Sequence, residues 1–158
     1  MNLSRFNQWL TLASNLGVLL GIVFLILEMS QANRIAVGNA ETEFRNTMIE
    51  LGRSVMDNPD VAEALSLAHS ADAQFSPTQQ EQMQALVRNY FAFFMAIQAA
   101  YDNELISRES FDVYLNGAVQ GIVLNTPALW PFWERTVESR NQAPNEISRE
   151  IRKIIEGR

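Results

Sequence analysis

Between Arg5 and Glu28 the chain runs for 22 residues, Phe6 to Leu27, without a formal charge. As an α-helix rising about 1.5 Å per residue, this stretch spans about 33 Å, enough to cross a hydrocarbon core of roughly 30 Å. Its centre, LGVLLGIVFLIL (Leu16–Leu27), is uniformly apolar. Phe6 and Trp9 stand at its start, where aromatic side chains favour the membrane–water boundary. A lipid bilayer is therefore the expected partner of residues 1–30, read as an uncleaved transmembrane anchor, with residues 31–158 forming a soluble domain. Two other readings stay open. Ser30-Gln31-Ala32 offers a small-x-small cleavage site for a secretory signal, although such signals have apolar cores of about 7–15 residues. The run is also apolar enough to be a buried helix of a soluble protein.

The anchor differs from side to side. At about 100° per residue, Asn7, Thr11, Ser14, Gly17, Val18, Gly21, Leu25 and Glu28 share one face, and Leu12, Leu16, Leu19, Leu20, Val23, Ile26 and Leu27 share the other. Lipid gives helices no hydrophobic reason to associate, so close backbone approach and interhelical hydrogen bonds must do it. Gly17 and Gly21 form a G-x-x-x-G pair, and Ser14 extends the small-residue strip by a turn. A lone anchor with incidental glycines is the bland alternative. Among flanking cations, Arg5 precedes the run while Arg34 and Arg45 follow it, which leans toward a cytoplasmic domain.

Charge removes several function classes. Twelve basic residues, eleven of them arginine, stand against eighteen acidic ones, and no run of like charge exceeds two residues. An acidic chain without a basic stripe is unsuited to nucleic acid, where phosphate neutralisation dominates affinity. It is equally unsuited to electrostatic adhesion to anionic headgroups. With no cysteine and a single histidine, His69, thiolate chemistry and histidine-rich metal sites are excluded.

The remainder reads as helix. No long apolar/polar alternation or Asn-Gly hairpin signal occurs, whereas helix starts are well marked. Asn58-Pro59 and Thr126-Pro127 place a capping side chain before a proline at the first helical position. Ser76-Pro77-Thr78-Gln79 adds a capping-box glutamine, and Ser107 caps a further helix. The expected helices run out of the membrane to about Val55, then over 59–69, 77–105, 108–124, 128–140 and 145–156. The fold class is all-α: one transmembrane helix continuing into an antiparallel bundle. Helix 77–105, with Met83, Leu86, Val87, Tyr90, Phe91, Phe93, Phe94 and Ile97, is apolar nearly all round and should be its centre, covered by Trp130 and Trp133. Ile147, Ile151, Ile154 and Ile155 form a stripe that needs a partner surface.

Candidate chemistry is thin. Ser66, His69 and Asp72 are local neighbours, whereas triads draw on distant segments and a positioned oxyanion hole, so His69 reads as an exposed or C-capping histidine. Glu41 and Glu43 lie about 200° apart on a helix and cannot share a ligand. No Glu-x-x-His pair, phosphate loop, G-x-S-x-G elbow or dinucleotide fingerprint is present. No catalytic residue, cofactor or metal is expected. Glu28, on the small-residue face at the membrane edge, reads either as a headgroup-level carboxylate or as one member of a cation-selecting ring.

The order of features resembles a widespread group of bacterial single-pass membrane proteins of unassigned activity. In that group one hydrophobic helix ends in a Leu-x-Ile-Arg-Gln-Asn-like sequence, and a helical domain follows with an aromatic-rich middle helix and a late Pro-x-x-x-x-Trp-Trp-Glu-type signature. Leu27 to Asn33 stands at the first motif, its arginine delayed to Arg34. Pro127 to Trp133-Glu134-Arg135 stands at the second, with Phe132 replacing one tryptophan. The resemblance implies a bacterial inner-membrane location and brings no activity. The expected function is a non-enzymatic membrane protein that self-associates as a homo-oligomer or serves as accessory or scaffold subunit of a larger membrane complex. Two alternatives stand beside it. One is an oligomeric pore lined by Asn7, Thr11, Ser14 and Glu28 and gated near Val18 and Leu25. The other is a sensor whose core around Phe91, Phe94 and Trp133 admits an apolar ligand.

Overall fold

A computed structural model of the chain describes residues 3–139 and 145–157, with side chains from Asn7 onward. Seven α-helices follow in order among these residues: α1 (Leu3–Met56), α2 (Pro59–Leu67), α3 (Pro77–Asp102), α4 (Arg108–Tyr114), α5 (Gln120–Asn125), α6 (Trp130–Ser139) and α7 (Glu146–Glu156). A π-helical turn, Leu115–Val119, joins α4 to α5, and a 3-10 turn, Pro127–Leu129, leads into α6. No strand occurs among the described residues, and the all-α class stands. The chain divides into two compact units, Met1–Asn39 and Ala40–Arg158.

In the first unit residues 7–35 are exposed throughout. Bulky apolar side chains from Leu10 to Met29 are about half exposed or more, and the chain's hydrophobic core takes no residue before Ala40.

The second unit is a helical bundle built around α3. That helix opens with the capping box that its sequence announces. Ser76 Oγ accepts from the Gln79 amide (3.3 Å) and Gln79 Oε1 accepts from the Ser76 amide (3.0 Å). Asn58, Ser107 and Asn145 cap α2, α4 and α7 with one bond each, the side-chain oxygen accepting from the amide three residues on. Along α3, Met83, Val87, Phe91, Phe94 and Ile97 are almost wholly inaccessible, and the helix packs against α2, α4, α6 and α7. Trp133 covers this core as expected, stacked on Phe94. Ile147, Ile151 and Ile155 of α7 are buried in the same cluster, so their stripe has found its partner surface. Phe44 of α1 joins the cluster edge-on to Phe93 and Tyr114. Arg108, at the start of α4, grips Glu146 at the start of α7 through both carboxylate oxygens (3.1 and 2.9 Å), and also bonds Asp112 at 2.8 Å.

Several helix borders differ from the sequence reading, and α2 already ends at Leu67 instead of 69. α3 stops at Asp102, not 105, because Glu104 turns into the left-handed region (φ 59°). The amides of Glu104 and Leu105 then close back on the carbonyls of Tyr101 (3.0 Å) and Ala100 (2.8 Å), the paired bonds of a Schellman stop. The expected helix 108–124 is interrupted by the π turn, which contains Gly117; a residue without Cβ offers little resistance to the wider winding. Thr126 does not cap the next helix. Its hydroxyl instead donates to the Ile122 carbonyl (2.8 Å) at the end of α5, and Trp130 Nε1 donates to Val123 O (2.8 Å) there. Trp130 thus closes a helix end while its ring, partly buried, packs against the core as expected. The expected end of helix 128–140 falls at Arg140, outside the described residues.

Candidate interaction face on the first helix

The eight residues singled out by pattern, Asn7, Thr11, Ser14, Gly17, Val18, Gly21, Leu25 and Glu28, all lie within α1, and all are exposed. With about 100° per residue they occupy a wedge of about 120°. A Cβ added at Gly17 or at Gly21 meets nothing within 4 Å. Another helix could therefore approach the backbone here without displacing any side chain of this chain.

The polar members of the face are not equivalent. Thr11 Oγ1 donates to the Asn7 carbonyl one turn back (2.9 Å). A hydroxyl bonded to its own helix is tolerated in lipid and has no need of an interhelical acceptor. Leu10, which pattern reasoning left out, falls inside the same wedge and is half exposed. Its bulk leaves the start of the face less open to a second backbone than the stretch at Gly17 and Gly21.

The chemically suggestive residues of the second unit occupy structural posts. His69 Nδ1 lies 3.0 Å from the Leu65 carbonyl and 3.2 Å from that of Ser66. Since carbonyls only accept, Nδ1 carries the proton and the ring closes the end of α2. Glu41 accepts from Ser110 Oγ at 3.4 Å. Among the described residues no group of three or more His, Cys, Asp or Glu is placed to hold a metal ion.

The bundle surface carries clefts, among them the following two. One, of about 200 Å³, lies over Val137 and Ile155 and is rimmed by Glu134, Glu138, Glu156 and Arg152. The other, of about 290 Å³, runs between Glu43, Phe44 and Thr47 of α1 and Asn89, Ala92, Phe93 and Ala96 of α3. Phe91, Phe94 and Trp133 line neither cleft. The Trp133 Nε1 is buried without a hydrogen-bond partner.

Fold and face together define an all-α chain with one long apolar N-terminal helix, sufficient in length and composition to cross a membrane. No family model, curated protein or solved structure matches it.

Proposed function

We propose that the chain is a non-enzymatic, single-pass membrane protein that self-associates through the Asn7–Glu28 face of α1, with its helical domain cytoplasmic at a bacterial inner membrane. The observation that carries this reading is the exposure of the charge-free run. The apolar side chains between Trp9 and Met29 lie outside the core of their own chain, and so many greasy groups together are not stable in water. Lipid satisfies the bulky side, while the side bearing Gly17 and Gly21 suits close contact with another helix. Ser30-Gln31-Ala32, the small-x-small sequence of a signal peptide, lies in the interior of α1.

The test is fractionation followed by an intact mass. The full-length chain is expected to stay with membranes through an alkaline carbonate wash, and to migrate in mild detergent as a defined assembly larger than one chain. Cleavage after Ala32, or recovery as a monodisperse monomer in plain buffer, would overturn the reading.

A further inference from the structure

The part of α1 inside the second unit, Ala40–Met56, has two unlike sides. One holds Phe44, Met48, Leu51 and Val55 against the bundle core. The other holds Thr42, Asn46, Ile49, Arg53 and Met56, all exposed, with Ile49 47% and Met56 81% accessible. These five are spaced by four, three, four and three residues. That is the 3.5-residue repeat of a coiled-coil seam, in which Asn46 and Arg53 take the a positions and Thr42, Ile49 and Met56 the d positions.

We propose that this seam pairs in parallel and in register with α1 of a second copy of the chain, giving a two-stranded coiled coil. The proposal rests on the membrane self-association argued above and specifies its partner, its direction and its stoichiometry. Two observations select a second copy in this orientation. A buried Asn at an a position is best satisfied by the same Asn across the seam, which occurs only in a parallel pair and favours two strands. Flanking charges agree. A parallel pair brings Arg45 of one copy beside Glu50 of the other, five residues on, as an attractive pair across the seam. An antiparallel pair would instead set the glutamates of this flank, Glu43 and Glu50, against those of the second copy. Arg53 can lay its apolar stem along the seam with its guanidinium in water.

The same residue count is kept in the first unit. Counting by sevens from Ile49 toward the N-terminus passes Thr42 and reaches Ile35, Glu28, Gly21, Ser14 and Asn7, and from Asn46 it reaches Asn39, Ala32, Leu25, Val18 and Thr11. Seven of the eight residues of the proposed membrane face fall in this count, and Gly17 stands one position before Val18, outside it. A two-stranded pair encloses no lumen.

The natural absence of cysteine makes the test direct on the full-length protein in native membranes. Under mild oxidation Asn46→Cys and Ile49→Cys should each give disulfide-linked dimers, and Ser54→Cys, exposed but off the seam, at least tenfold less. Ser14→Cys, on the face of Gly17 and Gly21 but not at either glycine, reports the membrane contact separately. Added to the Ile49→Cys variant, Arg45→Glu alone should reduce the dimer yield about fivefold, and adding Glu50→Arg should restore it, as expected for exposed pairs worth a fraction of a kcal/mol each. Helical circular dichroism checks that each variant is folded. Cross-linking at position 14 without cross-linking at 46 and 49 would overturn the seam and leave membrane self-association standing. Cross-linking at none of the three would remove both. Equal yields at 49 and 54, or an assembly larger than two chains, would also overturn the seam.

Discussion

Trp133 lies almost parallel to Phe94, with ring centroids 5.9 Å apart and planes inclined by 16°, yet its indole N–H faces no acceptor. The stack brings apolar burial and a favourable aromatic contact, while the orphaned donor costs roughly 1–3 kcal/mol. Trp133→Phe keeps the ring on Phe94 and removes the donor at the expense of a small void. Its stability should fall within about 1 kcal/mol of the parent. Trp133→Ala removes the stack as well and should lose about 3–5 kcal/mol. Denaturant midpoints of the full chain in micelles, read by helical circular dichroism, check both. An equal loss for the two variants would show that the N–H has a partner after all.

Glu104 occupies the left-handed stop of α3, where a side chain costs roughly 1 kcal/mol relative to glycine. The residue is exposed, so Glu104→Gly removes strain without removing a buried contact. Thermal unfolding should move upward by about 2–4 °C. Glu104→Val, branched at Cβ, should move it downward.

Tyr90 and Tyr114 titrate above their ordinary value of 10.0 because burial penalises the phenolate. At Tyr114 the charge of Glu41 adds to burial and Arg45 opposes it. In the unfolded chain both phenols ionise near pH 10, while in the folded chain they hold their protons longer. The stability they contribute is complete below pH 10 and is lost as pH rises through the higher folded values. Midpoints measured from pH 8 upward should begin to fall near pH 10, with phenolate absorbance appearing later than in a denatured control. A Tyr90→Phe, Tyr114→Phe double variant should fall less steeply.

Three of the four helix starts that a capping side chain announces were legible, Thr126 being the exception. Asn58, Ser76 and Ser107 each bond the amide expected of a cap, Asn145 proves to cap α7 where the sequence reading placed it inside the helix, and the apolar periodicity of α3 and α7 correctly named buried residues. The misses share a cause in tertiary demand. Glu104 stops α3 without the glycine that normally marks such a stop. Thr126 had two carbonyl-rich and amide-rich ends within reach, and geometry favoured the helix behind it. On the candidate face the pattern listed the small and polar residues, but Leu10 leaves its start less open and the hydroxyl of Thr11 is already bonded. The exposed seam from Thr42 to Met56 was hidden for a different reason. Its residues share a helix with Phe44 and Leu51, and only the structure shows which side the bundle covers.

At the two glycines of the proposed contact face, the effect of a substitution on assembly can be separated from its effect on folding. An added side chain at Gly17 or Gly21 meets nothing in its own chain, and isoleucine in place of glycine raises both helix propensity and apolar character. Gly17→Ile with Gly21→Ile should therefore leave insertion and helicity intact. Across a contact between two chains, the same side chains would hold the backbones apart where close approach supplies the attraction. Dimer dissociation measured in dilute detergent should become easier by at least tenfold, equivalent to about 1.4 kcal/mol. Thr11→Ala serves as the comparison on the same face. Because its hydroxyl already bonds the Asn7 carbonyl, its removal should change dissociation less than twofold. An unchanged assembly in the double glycine variant would show that the partner sits on another face of α1, and a loss as large in Thr11→Ala would show that the hydroxyl reaches across the contact.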